Sequence, residues 1–169
     1  MIPTWVDGVL APQEKIHVHR QGLRHMAVSV FVMSRDGLLI QRRAQGKYHT
    51  PGLWANTCCT HPNWGEEPLA CAVRRLREEL GIEDLELRHR GQLSYRADVG
   101  NNMTEDEVVD VFSALASPDL PMALNPDEVM GARWIALDEL TSEIERRPQK
   151  FTPWLRIYMS EHRQQILGN

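Results

Sequence analysis

Pro68-Leu69-Ala70-Cys71-Ala72-Val73-Arg74-Arg75-Leu76-Arg77-Glu78-Glu79-Leu80-Gly81-Ile82 reads as a capped amphipathic helix. Pro68 suits a first helical position, where a proline's missing N–H has no intrahelical partner to lose. Leu69, Val73, Leu76 and Leu80 recur at i, i+4, i+7 and i+11, which predicts one apolar stripe. Gly81 is expected just past the end, where a left-handed residue closes the last turn. Arg74, Arg75, Arg77, Glu78 and Glu79 fill the other faces. Taken alone, pairs such as Arg75 with Glu79 read as a solvated surface with i,i+4 support.

Outward from this helix the pattern changes period. Met26 to Met33 is rich in β-branched residues, Ser34-Arg35-Asp36-Gly37 is a turn, and Leu38 to Arg42 returns, which predicts a hairpin. Leu93 to Ala97, Glu107 to Leu115 and Gly131 to Ala136 are expected strands. Asp138 opens a short helix ending near Pro148. Thr152 and Pro153 suit the N-cap and first position of a last helix running to about Leu167. Strands and helices in this order predict an α/β (α+β) sandwich, a mixed sheet flanked by helices. No repeat or linker interrupts the chain, so one domain over residues 1–169 is expected.

The 42% hydrophobic and 25% charged composition is that of a soluble globular protein. A net charge of −4 offers no nucleic-acid footprint, but local basic groups can still bind an anion. Met1 to Leu10 lacks the apolar core of a signal peptide, and no apolar run is long enough to span a bilayer. The three cysteines, Cys58, Cys59 and Cys71, form no CxxC pair, which suits free thiols in a reducing cytoplasm.

Residues able to carry chemistry cluster in a few places. In Asn56-Thr57-Cys58-Cys59-Thr60-His61-Pro62, Cys59 and His61 would point to the same side of an extended segment. Glu105 and Glu107 repeat that spacing with carboxylates. His19, His25, His61, Glu105 and Glu107 could together hold one borderline-hard cation, Mn²⁺, Zn²⁺ or Mg²⁺. A lone histidine is more often a surface or core residue, the reading given to His17, His49, His89 and His162. Cys59 has three readings: an inert buried thiol, a zinc ligand without usable finger spacing, or a catalytic acid/base. Cys58 and Cys71 read as packing residues.

Residues 60–82 resemble the Nudix box, with Glu66, Arg74, Leu76, Glu78, Glu79, Gly81 and Ile82 at the pattern's positions. Two positions depart. Thr60 stands where the first Gly belongs, and Arg75 replaces the Glu of the Arg-Glu pair. From about Glu14 to Trp154 the chain resembles the type 1 isopentenyl-diphosphate isomerases, a branch of the Nudix superfamily. The resemblance rests on Glu14-Lys15 with His19, Leu23-Arg24-His25, Arg42-Arg43-Ala44 with Lys47, and Pro51-Gly52-Leu53-Trp54. It continues through Asn56, Cys59 and His61-Pro62, Ala72-Val73-Arg74-Arg75, Glu79-Leu80-Gly81, Ser94-Tyr95-Arg96 and Glu105 with Glu107-Val108. Asn125 with Asp127-Glu128-Val129 and Phe151 with Pro153-Trp154 complete it.

That resemblance implies an isomerase converting isopentenyl diphosphate to dimethylallyl diphosphate. It implies Cys59 and Glu107 as the acid/base pair, assisted by Tyr95, and a divalent metal at His19, His25, His61, Glu105 and Glu107, with His17 as a fallback ligand. It implies that Lys15, Arg43, Lys47 and Arg75 gather around the diphosphate and that Trp154 lines the hydrocarbon pocket. It also implies that Glu79 holds a substrate-bridging Mg²⁺, with a backbone contact from Cys59. The expected partner is a small diphosphate, with no nucleic acid or membrane, and the expected state is a monomer or homodimer. Two alternatives remain. One is a Nudix pyrophosphohydrolase of a nucleoside diphosphate derivative, which must do without the Glu that Arg75 replaces. The other is a metal-stabilised binding module.

Overall fold

The computed structural model describes residues 1–168 as a nine-stranded mixed sheet with five α-helices. A hairpin of β1 (Ile2–Val6) and β2 (Val9–Gln13) leads into α1 (Lys15–Gln21). β3 (Arg24–Ser34) and β4 (Gly37–Arg43) form the expected hairpin, pairing Met33 with Leu38 and Ser34 with Gly37. Gly37 is required at this turn: φ is +115°, and a Cβ there would lie 2.0 Å from the carbonyl oxygen of Ile135. Two short strands, β5 (Trp54–Ala55) and β6 (Cys58–Thr60), precede α2 (Pro68–Leu80). A long hairpin of β7 (Arg88–Gly100) and β8 (Met103–Leu115) follows, then β9 (Val129–Ile135), α3 (Leu137–Arg146), α4 (Pro153–Glu161) and α5 (Arg163–Leu167).

β3 organises the molecule. One edge runs parallel to β8 from Arg24↔Asp106 to Met33↔Leu115. The other edge is shared by three antiparallel partners in turn: β1 at His25, β6 at Val28 to Val30, and β4 at the far end. The side-chain alternation of β3 serves both faces. Val28, Val30 and Val32 pack with Cys58, Cys71, Leu76 and Leu80 beneath α2. Ala27 and Phe31 face the opposite layer, with Leu93, Tyr95, Val109, Val111, Trp154 and Tyr158. Cys58 and Cys71 are packing residues, as expected.

Four features differ from the sequence expectation. α2 does not bury the stripe assigned to it: Leu69 and Val73 are about half exposed. Its inward face is Cys71, Ala72, Leu76, Glu79 and Leu80, because the side next to β4 must deliver Glu79 to Gln41 rather than add leucine to the core. α1 and the β1–β2 hairpin were not foreseen. The last helix breaks at His162 into α4 and α5. The cap expectations hold: Gly81 is left-handed at φ +64°, and the Thr152 hydroxyl accepts from the Leu155 amide. No helix among the described residues is long and apolar enough to cross a membrane.

Candidate active site

The polar end of the β3–β8 face is built by strand register. His25 lies opposite Glu107 on the parallel ladder, and Tyr95 lies opposite Glu107 on the antiparallel one. One carboxylate therefore sits between an imidazole and a phenol without any loop positioning it. Glu105, two residues back, shares the face. The Tyr95 hydroxyl lies between the two carboxylates, 2.7 Å from Glu105 and 2.8 Å from Glu107. His61, just past β6, places its Nε2 3.0 Å from Glu107.

α1 contributes the next imidazole. Its N-terminus is capped by Glu14, whose carboxylate accepts from the Ile16 and His17 amides. His19 then points inward while His17 is exposed, which removes His17 as a ligand. His19 Nδ1 lies 2.7 Å from the Lys15 carbonyl, and His25 Nδ1 lies 2.7 Å from the Leu23 carbonyl. A carbonyl only accepts, so each Nδ1 carries the proton and each Nε2 offers a lone pair. Among the described residues His19 Nε2 is buried with no hydrogen-bond partner. The ligand atoms of His19, His25, His61 and Glu107 lie within 4.8 Å of one another. Buried lone pairs converging with a carboxylate fit a divalent cation such as Mn²⁺ or Zn²⁺.

The five expected ligands fall in two groups that share His19. Glu105 falls in a neighbouring group with His19 and His49. The sequence offers His49 only as an ordinary surface or core residue. It is buried, with Nε2 3.4 Å from Glu105 and its ring stacked 5.5 Å from His19. A signal lay in the segment itself, since Tyr48-His49-Thr50 sits between two matched stretches. Thr50 adopts φ +46°, a costly conformation for a β-branched residue, and its hydroxyl lies 3.0 Å from His49 Nδ1.

The electrostatics follow from burial. Burial and the nearby His25 lower His19 to about 4, and burial with Arg43 lowers His49 to about 2, so both imidazoles are neutral. Burial and the neighbouring Glu107 raise the Glu105 carboxyl well above the usual range. Burial would raise Glu107 too, but the adjoining His25 and His61 rings hold it well below. Burial pushes the Cys59 thiol up, against a hydrogen bond from Ser29.

Lys15, Arg43, Lys47 and Arg75 come from four segments and line one partly open cavity with Cys59, His61, Tyr95, Glu105, Glu107 and Trp154. Burial, then the charges of Lys47, Arg75 and Arg43, lower Lys15 to about 8. Like charges crowded this closely favour an anionic occupant. Trp154 is buried on α4, with the Arg43 guanidinium 5.2 Å from its ring. Glu128 pairs with both Lys47 and Arg75, a role the sequence did not reveal. Glu79 is buried but committed elsewhere: Arg75 donates to it at 2.7 and 3.1 Å and Gln41 at 2.9 Å. The side chains of Glu79 and Cys59 belong to neither ligand group.

Known proteins match this architecture. A profile of the NUDIX domain matches residues 23–155. A protein of Cereibacter sphaeroides named isopentenyl-diphosphate Delta-isomerase is 60% identical over 99% of this chain and 95% of its own length. One of the same name from Dinoroseobacter shibae is 58% identical over 99% of this chain and 96% of its own. Among solved structures, a MutT NUDIX hydrolase from Burkholderia pseudomallei shares the fold with a TM-score of 0.63, 23% identity, and coverage of 82% of this chain and 98% of that one. The chain is an enzyme of the isopentenyl-diphosphate Delta-isomerase family, built on a NUDIX domain.

Proposed function

We propose that this enzyme interconverts isopentenyl diphosphate and dimethylallyl diphosphate, with Cys59 and Glu107 as the proton-transferring pair. The observation that carries the reading is the lining of one cavity, in which four cations from separate segments stand with a thiol, two carboxylates, a phenol and an indole. A diphosphate bearing a short alkene calls for both sets of groups. Arg43 and Arg75 can engage phosphate oxygens through two N–H groups each, while Lys15 and Lys47 act as point charges.

The reaction moves two protons and no electrons. One member of the pair gives a proton to the terminal CH₂, leaving a tertiary cation. The other takes a proton from the allylic carbon, and that C–H bond becomes the new double bond. Cys59 on β6 and Glu107 on β8 approach from strands on opposite edges of β3, which supports their acting on opposite sides of a flat alkene. Tyr95 holds Glu107 and Glu105 at once and can relay a proton between them. The Trp154 ring supplies a π face, and a desolvated cation beside an indole gains about 2 kcal/mol. A divalent cation at His19, His25, His61 and Glu107 would fix the carboxylate and tune its acidity. A cytoplasmic setting is part of this reading and is supported by the three free cysteines.

The box carboxylates argue against hydrolysis. Arg74 holds Glu66 at 2.6 and 2.8 Å, and Arg75 bonds both Glu78 and Glu79. The test is proton NMR of the purified enzyme with isopentenyl diphosphate and Mg²⁺ in D₂O. The expected result is dimethylallyl diphosphate carrying deuterium in a methyl group. An intact alkene with released phosphate would overturn the reading in favour of a hydrolase.

A further inference from the structure

Cys59 is gripped from behind by groups that the proton transfer does not consume. The Asn56 amide fixes one side. Its Nδ2 donates to the carbonyls of Val30 at 3.1 Å and Cys58 at 3.0 Å, so its Oδ1 is the end facing Cys59 Sγ at 3.0 Å. An amide oxygen only accepts, so the thiol proton points to Asn56. The sulfur lone pairs then face Ser29 Oγ at 2.9 Å, which makes the serine hydroxyl the donor. Ser29 Oγ in turn lies 2.9 Å from the Tyr158 hydroxyl, and with its own proton spent on sulfur it accepts. The directions are therefore determined: Tyr158 to Ser29, Ser29 to Cys59, Cys59 to Asn56.

Three elements meet in this chain. Ser29 is the register partner of Cys59 across β3 and β6, and it shares the β3 face of His25. Tyr158 stands one turn beyond Trp154 on α4, so the helix that lends its indole to the cavity also anchors the serine. Ser29 is 1% exposed and Tyr158 is not exposed at all. Two hydroxyls so deeply buried cost stability unless hydrogen-bonded, and alanine and phenylalanine would fill the same space. Packing alone gives no reason for them.

We propose that Ser29, anchored by Tyr158, is the positioning residue for the Cys59 thiol. The hydroxyl donates to sulfur whether or not sulfur holds its proton. Sγ therefore stays at one place against the cavity wall while its proton leaves and returns. The inference rests on the isomerase reading, in which Cys59 touches the reacting carbon, and displacement of a reacting group by about 1 Å can cost roughly a hundredfold in rate.

The test uses Ser29→Ala, Ser29→Thr and Tyr158→Phe, assayed on isopentenyl diphosphate and by the infrared S–H stretch of Cys59, assigned by difference against Cys59→Ala. The expected result is a kcat lowered roughly a hundredfold in Ser29→Ala and roughly tenfold in Tyr158→Phe, with KM within about twofold, and recovery in Ser29→Thr, which keeps the hydroxyl. The S–H band should move to higher frequency in Ser29→Ala, because sulfur no longer accepts a bond that strengthens its own donation. Unchanged kcat in Ser29→Ala, or an unmoved band, overturns the proposal. Equal losses in Ser29→Ala and Ser29→Thr, with KM rising alongside, would also overturn it by showing a purely structural role. Tyr158→Phe removes one oxygen, so the question can still be decided if Ser29→Ala misfolds. A shifted band in a protein whose wild type leaves isopentenyl diphosphate untouched would uphold the hydrogen-bond chain and overturn the isomerase reading instead.

Discussion

Arg75 and Glu79, one turn apart on α2, are joined by two hydrogen bonds that fill one oxygen of a carboxylate only 4% exposed. The arginine occupies the position where the Nudix pattern has a metal-binding glutamate, and it neutralises the glutamate that remains. Arg75→Ala leaves Glu79 with Gln41 alone and should destabilise the fold by roughly 1–3 kcal/mol, the cost of a buried acceptor losing its donor. Urea unfolding measures this, and an unchanged midpoint would show that the pair is not structural.

Removing either half of the proton-transfer pair should stop turnover while leaving the diphosphate bound. Cys59→Ala and Glu107→Gln are each expected to lower kcat by roughly a hundredfold or more, the lower end of what a positioned acid or base supplies. Calorimetric titration with isopentenyl diphosphate should show affinity within a few fold of wild type. Near-normal turnover in one variant would remove that residue from the pair.

Lys15 gives the site a pH dependence with a definite sign. Its ammonium sits at about 8, below the ordinary lysine value, because burial and three neighbouring cations disfavour the charge. The diphosphate binds the protonated form, so attraction is present below that value and declines as pH rises through it. The kcat/KM for the substrate should therefore fall above about pH 8. Lys15→Met should flatten that limb and weaken binding about tenfold to a hundredfold, the worth of a charged hydrogen bond.

Metal should stabilise the protein independently of turnover. After chelation, a divalent cation at about a hundred times its Kd should add roughly 2.7 kcal/mol to the unfolding free energy. His61→Ala should abolish most of that gain, whereas His17→Ala, on the exposed side of α1, should preserve it. An unfolding midpoint indifferent to Mn²⁺ and Zn²⁺ would argue that the converging imidazoles do not hold a cation.

The two faces of α2 should separate cleanly. Leu76→Ala, in the core, should cost roughly 2–5 kcal/mol. Val73→Ala, about half exposed, should stay within roughly 0.5 kcal/mol, measured in the same denaturant series.

What could be read from the chain and what could not divide along physical lines. The β3–β4 hairpin, the Gly81 terminator and the Thr152 cap are local, and their residues announce them. The helical period of Leu69, Val73, Leu76 and Leu80 found the helix but misplaced its inward side. Which side packs depends on β3 and β4, and here a glutamate was needed inside. His49 is not legible in the sequence because one histidine carries no signal until the fold sets it beside Glu105. Ser29 and Tyr158 are separated by 129 residues, so only the fold brings them together.

The parallel pairing of β3 with β8 has a consequence for how the enzyme is made. His25 meets Glu107 across a separation of 82 residues, with two hairpins and α2 formed in between. Such high contact order means that loop-closure entropy must be met before the pairing returns anything, so this ladder is expected to form slowly and after the hairpins. During synthesis His19, His25 and His61 emerge well before the carboxylate they surround. The four groups that could hold a cation come together only once β8 docks, so a divalent ion added during refolding should report on that stage rather than on the hairpins before it.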